Sequence, residues 1–433
     1  IYERIKEELK AGKGLGKAIH DGYSNAYSAI IDGQVTTLLT GFVLFVFGSG
    51  PIKGFATTLI IGIITSVLTS IFITRLIFEG RVSKGKSITF ENNVTKNFLK
   101  NTHVNFLGGR KYSYIISGAL IVIAIGSICI KGFTYGVDFT GGRTYVVRFD
   151  QPVQAEQVRE AVLDVFNTAA AADENVSNSS AEVKQFGGES QMKITTSYKY
   201  QDESSSVDAE IEGMLYEALK GLFKDELSLS DFVSTLDNPN GIISSDKVGA
   251  SIANDIKRSA VISVLLALLI IFGYIAFRFK GWTWGLGGVV SLAHTSIIII
   301  GFFSLFSGIL PFNLDVDQTF IAAILTIIGY AINDNVVIFD RIRENLMLHP
   351  NGDFKENVNT SLNQTLTRTV NTSVSTLLPM VAIAIWGGES IRGLAVALIL
   401  GICIGTYASI MIGTPIMYDS AVKAASKKVA KKK

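Results

Sequence analysis

Cysteines and charged residues are both scarce in this sequence of 433 residues. The only two cysteines, Cys129 and Cys403, each lie in an apolar run, which excludes a disulfide framework for practical purposes and leaves no metal-ligand spacing. Charged residues make up 18% of the chain and hydrophobic residues 48%, and the net charge is only +2. This balance is too apolar for an ordinary soluble protein.

Motifs that carry catalysis or nucleic-acid binding are missing as well. The sequence has no phosphate-binding loop, no nucleophile elbow and no cluster of metal-binding residues, so neither an enzyme nor a cofactor is predicted. It also has no basic surface with interleaved aromatic residues, which argues against a nucleic-acid partner.

The first ten residues, IYERIKEELK, are polar and helical in pattern. They lack the apolar core of a signal peptide. Because no methionine precedes them, we expect the sequence to be part of a longer protein.

Eight apolar runs are long enough to cross a membrane. A bilayer core is about 30 Å thick, so a helix of roughly 18 to 25 apolar residues can span it. The candidate runs lie near 33–49, 53–78, 112–131, 259–279, 284–307, 317–340, 364–387 and 391–417. Residues 1–9 are compatible with the cytosolic tip of a ninth helix. The runs predict an α-helical integral membrane protein in contact with lipid.

Lysine and arginine are distributed unequally between the loops. Basic residues are frequent in 4–17, 75–111, 278–280 and 341–355 and in the tail KKVAKKK, whereas the opposite loops carry only Lys53 and Arg392. Basic loops tend to remain in the cytoplasm. This places the first residues and the tail on the cytoplasmic side.

One large polar segment, about 132–256, then lies on the outer side. Strand patterns occur in TYVVRF (144–149), AEVKQF (181–186), QMKITTSY (191–198) and within 231–249, and helical patterns at 154–166 and 207–223. Gly187-Gly188 is a hairpin signal between the two middle strands, and 170–180 and 201–206 are predicted to be loops. The order βαββαβ predicts a small ferredoxin-like α+β domain.

The two ends of the chain repeat each other. At an offset of 339 residues Gly48, Gly54 and Gly62 match Gly387, Gly393 and Gly401, and Lys53 matches Arg392 in charge. At an offset of 337, IYERIKEEL (1–9) matches IFDRIRENL (338–346). The order and orientation predict a parallel duplication about an axis along the membrane normal. The second half has six predicted spans and the first only two, so further helices are expected upstream.

Asp334 is the most unusual residue of the predicted spans. It lies in LTIIGYAINDNVVIFDRIREN, 16 residues past Gln318 and so roughly 24 Å along a helix. An ionised carboxylate at such depth costs about 2.5–3.5 kcal/mol or more. We therefore predict a reversible proton carrier; the alternative is a structural acid hydrogen-bonded by Asn333 or Asn335.

Arg368, in SLNQTLTRTVNTSVSTLL, is the natural partner of Asp334. If its helix begins near Ser361, the two side chains lie at similar depths on antiparallel helices. The alternative is an arginine that snorkels to the interface. Small hydroxyls around it are predicted to hydrogen-bond within the bundle, namely Thr369, Thr372, Ser373, Ser375 and Thr376.

Several other polar residues favour structural roles. A helix-end charge network is predicted from Asp340, Arg341, Arg343 and Glu344. Asp32 is predicted to be the N-cap of a spanning helix, with a transport role as the alternative.

Three further polar residues each have two interpretations. His294 lies in an apolar run, where a helix–helix hydrogen bond is favoured over a proton relay. Asp315 and Asp317 are predicted to be solvated or to cap the next helix.

These motifs resemble a known family. GYAINDNVVIFDRIREN together with TLTRTVNTS resembles the SecF part of the bacterial SecDF protein-export complex, and GVDFTGG (136–142) is similar to the start of its periplasmic domain. IYERIKEEL, DGYSNAYSAIIDGQVTTLLTG and GPIKGFATTLIIGI resemble the end of SecD. The resemblance covers almost the whole chain.

The resemblance implies a domain organisation. Residues 1–85 would be the C-terminal part of the SecD-like half, 86–111 a cytoplasmic linker and 112–131 the first SecF-like span. Residues 132–256 would be the periplasmic α+β domain, 257–418 five further spans, and 419–433 a basic cytoplasmic tail.

The resemblance also implies a function. The family belongs to the RND superfamily of proton-coupled machines and uses the proton gradient to help pull unfolded preproteins from the SecYEG translocon, in the inner membrane with one domain in the periplasm. Asp334 and Arg368 would match residues needed for proton-coupled export. A second family aspartate, in a D-A-N motif, would lie four positions upstream of Ile1 by the 337 offset, and Gln34 replaces a common asparagine.

The resulting hypothesis is that protonation of Asp334 weakens its attraction to Arg368 and shifts the packing of the two halves, which moves the outer domain. Two other functions are compatible with membrane helices. One is an RND-type exporter of small hydrophobic molecules, which needs an apolar cleft in the outer domain. The other is a non-conducting factor that steadies the translocon, which predicts no effect of the proton gradient.

Overall fold

Long α-helices dominate the computed structural model, which describes residues 1–48, 50–90, 99, 102–172, 181–186, 189–202, 204–234, 239–248, 250–310, 314–387 and 389–430. The first part contains a short polar helix, α1, and four longer segments. Their bounds are α1 Tyr2–Lys10, α2 Leu15–Phe47, α3 Gly50–Leu68, a π-helical turn Thr69–Ile73, α4 Thr74–Ser83 and α5 Phe106–Lys131.

Helix α2 begins 18 residues before the apolar run that predicted it, at Leu15 instead of 33. Its first half is amphiphilic: Tyr23 and Ile19 are buried against Ile5 of α1, while polar residues face outward. Tertiary packing therefore extends the helix beyond the purely apolar segment.

The inserted domain follows α5. It consists of α6 Val137–Thr140, β1 Gly142–Arg148, α7 Ala155–Ala172, β2 Ala181–Gln185, β3 Gln191–Thr196, α8 Ser205–Leu219, α9 Leu229–Val233 and β4 Gly241–Val248. The strands form one sheet in the order β2-β3-β1-β4, and all three pairings are antiparallel. This order, with α7 and α8 as the two long helices, confirms the ferredoxin-like prediction.

The core of this domain lies between the sheet and the two long helices. Val158, Val162 and Phe166 recur along one face of α7 and are fully buried, as are Ile211 and Leu215 of α8. Every second residue of the strands points toward these helices and completes the core, as Tyr145 and Val147 of β1 do.

Two predicted loops in the domain are shorter than the sequence indicated. Helix α7 continues to Ala172, and α8 already begins at Ser205, so the predicted loops at 170–180 and 201–206 are partly helical. Alanines at 169–172 have high helix propensity, which explains the extension. The hairpin at Gly187-Gly188 lies outside the described residues.

Six helices follow the domain: α10 Ala250–Arg278, α11 Trp282–Phe306, α12 Gln318–Leu348, α13 Phe354–Trp386, α14 Glu389–Ala408 and α15 Thr414–Ala430, with a π-helical turn Ser409–Gly413 between the last two. Counting α3–α4 and α14–α15 as continuous helices, the described residues contain eight helices that are long and apolar enough to span a membrane. This confirms the helical membrane-protein class. The π-helical turns recur near the same place in both halves, as expected of a duplication.

Helix α12 forms the centre of the bundle. In its most apolar stretch of 18 residues, 78% of the residues are buried. The corresponding share in the other seven spans is 11% to 50%. Side chains of α5 and α10 such as Ile130 and Phe277 are exposed, as lipid-facing residues are.

Helix α2 packs on α12 through small residues. A Cβ atom on Gly33 would lie 2.3 Å from Asn333 Oδ1, so a larger residue at position 33 would displace the Asn333 side chain. One turn on, Thr37 Oγ1 donates to the carbonyl oxygens of Gly33 and Gly329, at 3.0 Å each. The contact brings the first half of the chain against the residue next to Asp334.

Candidate functional site

Asp334 lies in the buried centre of α12. Its side chain is only 8% exposed, and its Oδ2 atom has no hydrogen-bond partner among the described residues. Most buried polar atoms in proteins are hydrogen-bonded, so an unpartnered carboxylate oxygen calls for an explanation. The alternative prediction, a structural acid held by a neighbouring asparagine, lacks support because neither Asn333 nor Asn335 donates to it within the described part of the chain.

The two asparagines have other contacts. Asn335 is fully buried and donates through Nδ2 to Ser291 Oγ of α11 at 2.9 Å, while its Oδ1 has no partner among the described residues. Asn333 lies against Gly33 of α2. Each therefore packs α12 against a different neighbour.

Arg368 is partly buried on α13 and is the charged group that acts electrostatically on Asp334. Its helix begins at Phe354 instead of near Ser361, so Arg368 lies 14 residues past the helix start instead of about seven. Within the described ranges Arg368 forms no direct ion pair, so it acts on Asp334 only through its charge. Their functional pairing remains a prediction.

Hydroxyl groups tie α13 to its neighbours at this level. Ser373 shares a hydrogen bond of 2.6 Å with Thr406 of α14, and Tyr330 of α12 donates to Thr376 Oγ1 at 3.1 Å. Thr372 donates to the carbonyl oxygen of Arg368 in its own helix, and Thr369 is buried. These contacts agree with packing roles.

Asp32 does not cap a helix, because it lies in the middle of α2, whose N-cap is Gly14. Its carboxylate is 5% exposed and is bound by Arg278 of α10, with Nε 2.7 Å from Oδ1 and a second guanidinium nitrogen 2.6 Å from Oδ2. Tyr274 donates to the same Oδ1 at 3.0 Å. The N-cap prediction was wrong because the apolar run marks only the second half of the helix.

His294 is buried, at 2% exposure, and neither ring nitrogen has a hydrogen-bond partner among the described residues. Its ring lies beside Tyr407, with centroids 6.1 Å apart. The helix–helix hydrogen bond predicted for this histidine is therefore absent from the described structure, and its contact with Tyr407 is one of packing.

A charge network closes the end of α12 that lies away from the inserted domain. Arg4 binds Glu344 at 2.6 Å and Glu7 at 2.9 Å, and Arg341 binds Glu7 at 2.6 Å and Glu344 at 3.0 Å. The four residues are related by the 337 offset, so the ring is two-fold symmetric. Asp340 binds Arg343 nearby at 2.6 Å, which agrees with the predicted helix-end network.

The opposite end of α12 is joined to the inserted domain. Asp317 caps the helix by accepting from the backbone N–H of Phe320 at 2.7 Å, which is the second of the two alternatives predicted for it. Asp138 of α6 accepts from the backbone N–H of Gln318 at 3.3 Å, and Tyr135 pairs with Val316 in a parallel bridge. The helix that carries Asp334 thus starts in direct contact with the domain.

Gly141 and Gly142 make the turn from α6 into β1. Their φ angles are +83° and +155°, which side chains with a Cβ atom rarely adopt. The turn starts β1 directly after α6, whose Asp138 contacts the start of α12.

Sequence reasoning missed Asp138, Arg278 and Tyr274. Arg278 was counted only as a loop cation, although its spacing of four from Tyr274 places both on one helix face. No group of three metal-ligating side chains occurs in the part of the chain that the structure describes.

The chain matches the family described as "Protein export membrane protein SecD/SecF, C-terminal" over residues 1–80 and 229–423. It also matches the family "SecD/SecF GG Motif" over residues 126–153, which include Gly141 and Gly142.

Curated relatives and solved structures agree with these matches. The chain is 35% identical to protein translocase subunit SecDF of Thermus thermophilus, covering 95% of this chain and 50% of that protein. It is 38% identical to protein translocase subunit SecF of Rhodothermus marinus, covering 76% of this chain and 97% of that protein.

The crystal structure of SecDF from Thermus thermophilus, a translocon-associated membrane protein, matches with a TM-score of 0.75 at 33% identity, over 97% of this chain and 52% of that one. A SecDF structure in the super-membrane-facing form matches with a TM-score of 0.73 at 31% identity, over 99% of this chain and 53% of that one. The chain therefore spans about half the length of the SecDF proteins that it matches, and it belongs to the SecD/SecF family of protein-export membrane proteins.

Proposed function

We propose that this chain is part of a proton-driven accessory component of the bacterial Sec translocase, which helps unfolded preproteins leave the SecYEG channel on the periplasmic side. The observation that carries the proposal is helix α12. It holds in its middle the buried Asp334, whose Oδ2 has no hydrogen-bond partner among the described residues, and it contacts the inserted domain at its start. A change of charge at Asp334 can therefore be transmitted along one rigid element.

In this proposal Asp334 and Arg368 form the proton relay in the inner membrane. Protons enter from the periplasm, reach Asp334 and leave to the cytosol, past the end that carries Arg341 and Glu344. Neutralising Asp334 removes its attraction to Arg368 and changes the packing of α12 against α13. A proton that crosses about 100 mV releases roughly 2.3 kcal/mol, which biases a two-state equilibrium about fifty-fold.

The inserted domain is the part that moves in this cycle and acts on the preprotein. By the distribution of basic loops it faces the periplasm, where it would contact emerging preproteins. The link through Asp138 and the Tyr135–Val316 bridge moves the domain when α12 shifts.

The function is tested with inverted membrane vesicles from cells that contain this protein and from cells that lack it. We expect preprotein export to be faster with the protein only while a proton gradient exists, and an ionophore should remove the difference. If the ionophore leaves the difference intact, the protein steadies the translocon without using protons.

Replacing Asp138 with alanine tests the coupling to the domain. We expect a loss of about fivefold in gradient-dependent export, because a hydrogen bond to a charged acceptor at the helix start is removed. The change is measured as the rate of preprotein export in vesicles. Asp164→Ala, on the exposed face of α7, serves as the control and should leave the rate unchanged; equal rates for both variants would contradict the coupling role.

A further inference from the structure

The buried ion pair between Asp32 and Arg278 is not used by the proton relay proposed above. The carboxylate of Asp32 accepts two hydrogen bonds on Oδ1, from Arg278 and Tyr274, while its Oδ2 is bound by the second guanidinium nitrogen of Arg278. Ser28 of the same helix donates to Oδ2 as well, at 3.4 Å. A carboxylate bound on both oxygens in this way is held in one position.

The residue that follows Asp32 contacts the proton site. Gly33 lies directly against Asn333, the neighbour of Asp334, and Thr37 hydrogen-bonds to Gly329 one turn earlier on α12. Any rotation or displacement of α2 would therefore also change the contacts of α12 just before Asp334, at Gly329 and Asn333.

Arg278 ends the helix that leaves the inserted domain. Helix α10 begins at Ala250, just after strand β4. The ion pair thus joins α10, which comes from the domain, to α2, which belongs to the first half of the chain.

The acid of this ion pair has no counterpart at the matching position of the other half of the repeat. Helices α2 and α13 are related by the 339 offset, and both pack on α12. The offset places Asn371 where α2 has Asp32, three residues after Arg368. Helix α12 therefore packs against one helix that carries a paired acid and against another that carries the cation Arg368.

We propose that Asp32 is a positioning residue for the proton site: bound by Arg278, it holds α2 so that Gly33 stays packed against Asn333, which keeps the neighbouring Asp334 within electrostatic reach of Arg368. Asp32 itself carries no proton in this scheme. The inference rests on the proposed function, because it assigns Asp32 a part in the same proton-coupled cycle.

The test uses the natural protein with Asp32→Asn, which keeps the side-chain shape and removes the charge. We expect at least a tenfold loss of gradient-dependent export, with the gradient-independent rate unchanged and with normal amounts of protein in the membrane. Asp32→Glu, which keeps a carboxylate, should recover part of the loss. Adding Asp32→Asn to an Asp334→Asn variant should cause no further loss, since Asp32 acts through that residue.

The matched control is Asp419→Asn, which breaks the interhelical pair between α15 and Arg110 of α5. It should keep the gradient-dependent rate within twofold of the natural protein. If Asp32→Asn does not accumulate, the double variant Asp32→Asn/Arg278→Gln, which leaves no unpaired charge, takes its place with the same expected loss.

Two results would overturn the inference: a gradient-dependent rate within twofold of normal, or an equal loss of the gradient-dependent and gradient-independent rates. Failure of the proposed function is recognised separately. In that case Asp334→Asn also keeps its gradient-dependent export, whereas failure of the positioning role alone leaves Asp334→Asn inactive.

Discussion

Replacing Asp334 with asparagine is expected to reduce gradient-dependent export to the level seen without the protein. Asparagine has nearly the same shape, so the buried site in α12 keeps its packing, but the amide cannot take up and release a proton. The free energy that a gradient of about 100 mV supplies, roughly 2.3 kcal/mol per charge, then has no group on which to act.

The measurement is the rate of preprotein export in inverted vesicles, with and without an ionophore. Asp340→Asn is the control, because Asp340 lies six residues further along the same helix and is already paired with Arg343 at 2.6 Å. It should retain most of the activity. A normal rate for Asp334→Asn would remove the proton-carrier role from this residue.

Replacing Arg368 with glutamine should have an effect of similar size. Arg368 is the cation that acts on Asp334 from the facing helix, so without it the helix interface no longer responds to whether Asp334 is charged. Arg368→Lys keeps the positive charge and should retain a part of the activity, reduced because the ammonium is smaller and more strongly hydrated than the guanidinium.

Export and membrane insertion are measured in the same vesicles. Arg343→Gln removes a cation from α12 near its end and is expected to leave export within about twofold of normal, because its ion pair with Asp340, three residues away on the same helix, contributes only about 0.2–0.5 kcal/mol. If Arg368→Gln behaves like this control, Arg368 only anchors α13 near the membrane surface.

Much of the fold follows from local patterns. The eight spans were evident as apolar runs, because a bilayer imposes a minimum length on any helix that crosses it. The order βαββαβ was evident from alternation in the strands and from helical periodicity, and the sheet order β2-β3-β1-β4 agrees with it. Capping of the next helix was one of the two alternatives predicted for Asp317, and local sequence suffices to propose it because a cap depends on a residue only three positions away.

The errors concern residues whose role depends on distant partners. Asp32 was assigned to a helix start because the polar first half of α2 gives no apolar signal, yet its true partner, Arg278, is 246 residues away. His294 was expected to bond across helices, but the residue that lies beside it is Tyr407, which offers only a ring contact in the described structure.

The sequence by itself determined that this is a helical membrane protein with an inserted α+β domain, an internal duplication and one carboxyl group in an apolar segment. These properties depend on composition and on periodicity over short stretches of chain. Only the tertiary structure decided that Asp138 joins the start of α12, that Asp32 binds Arg278, and that Gly33 lies against Asn333. Such contacts arise from the packing of helices that are far apart in the chain, and no local pattern specifies which of several polar residues will meet.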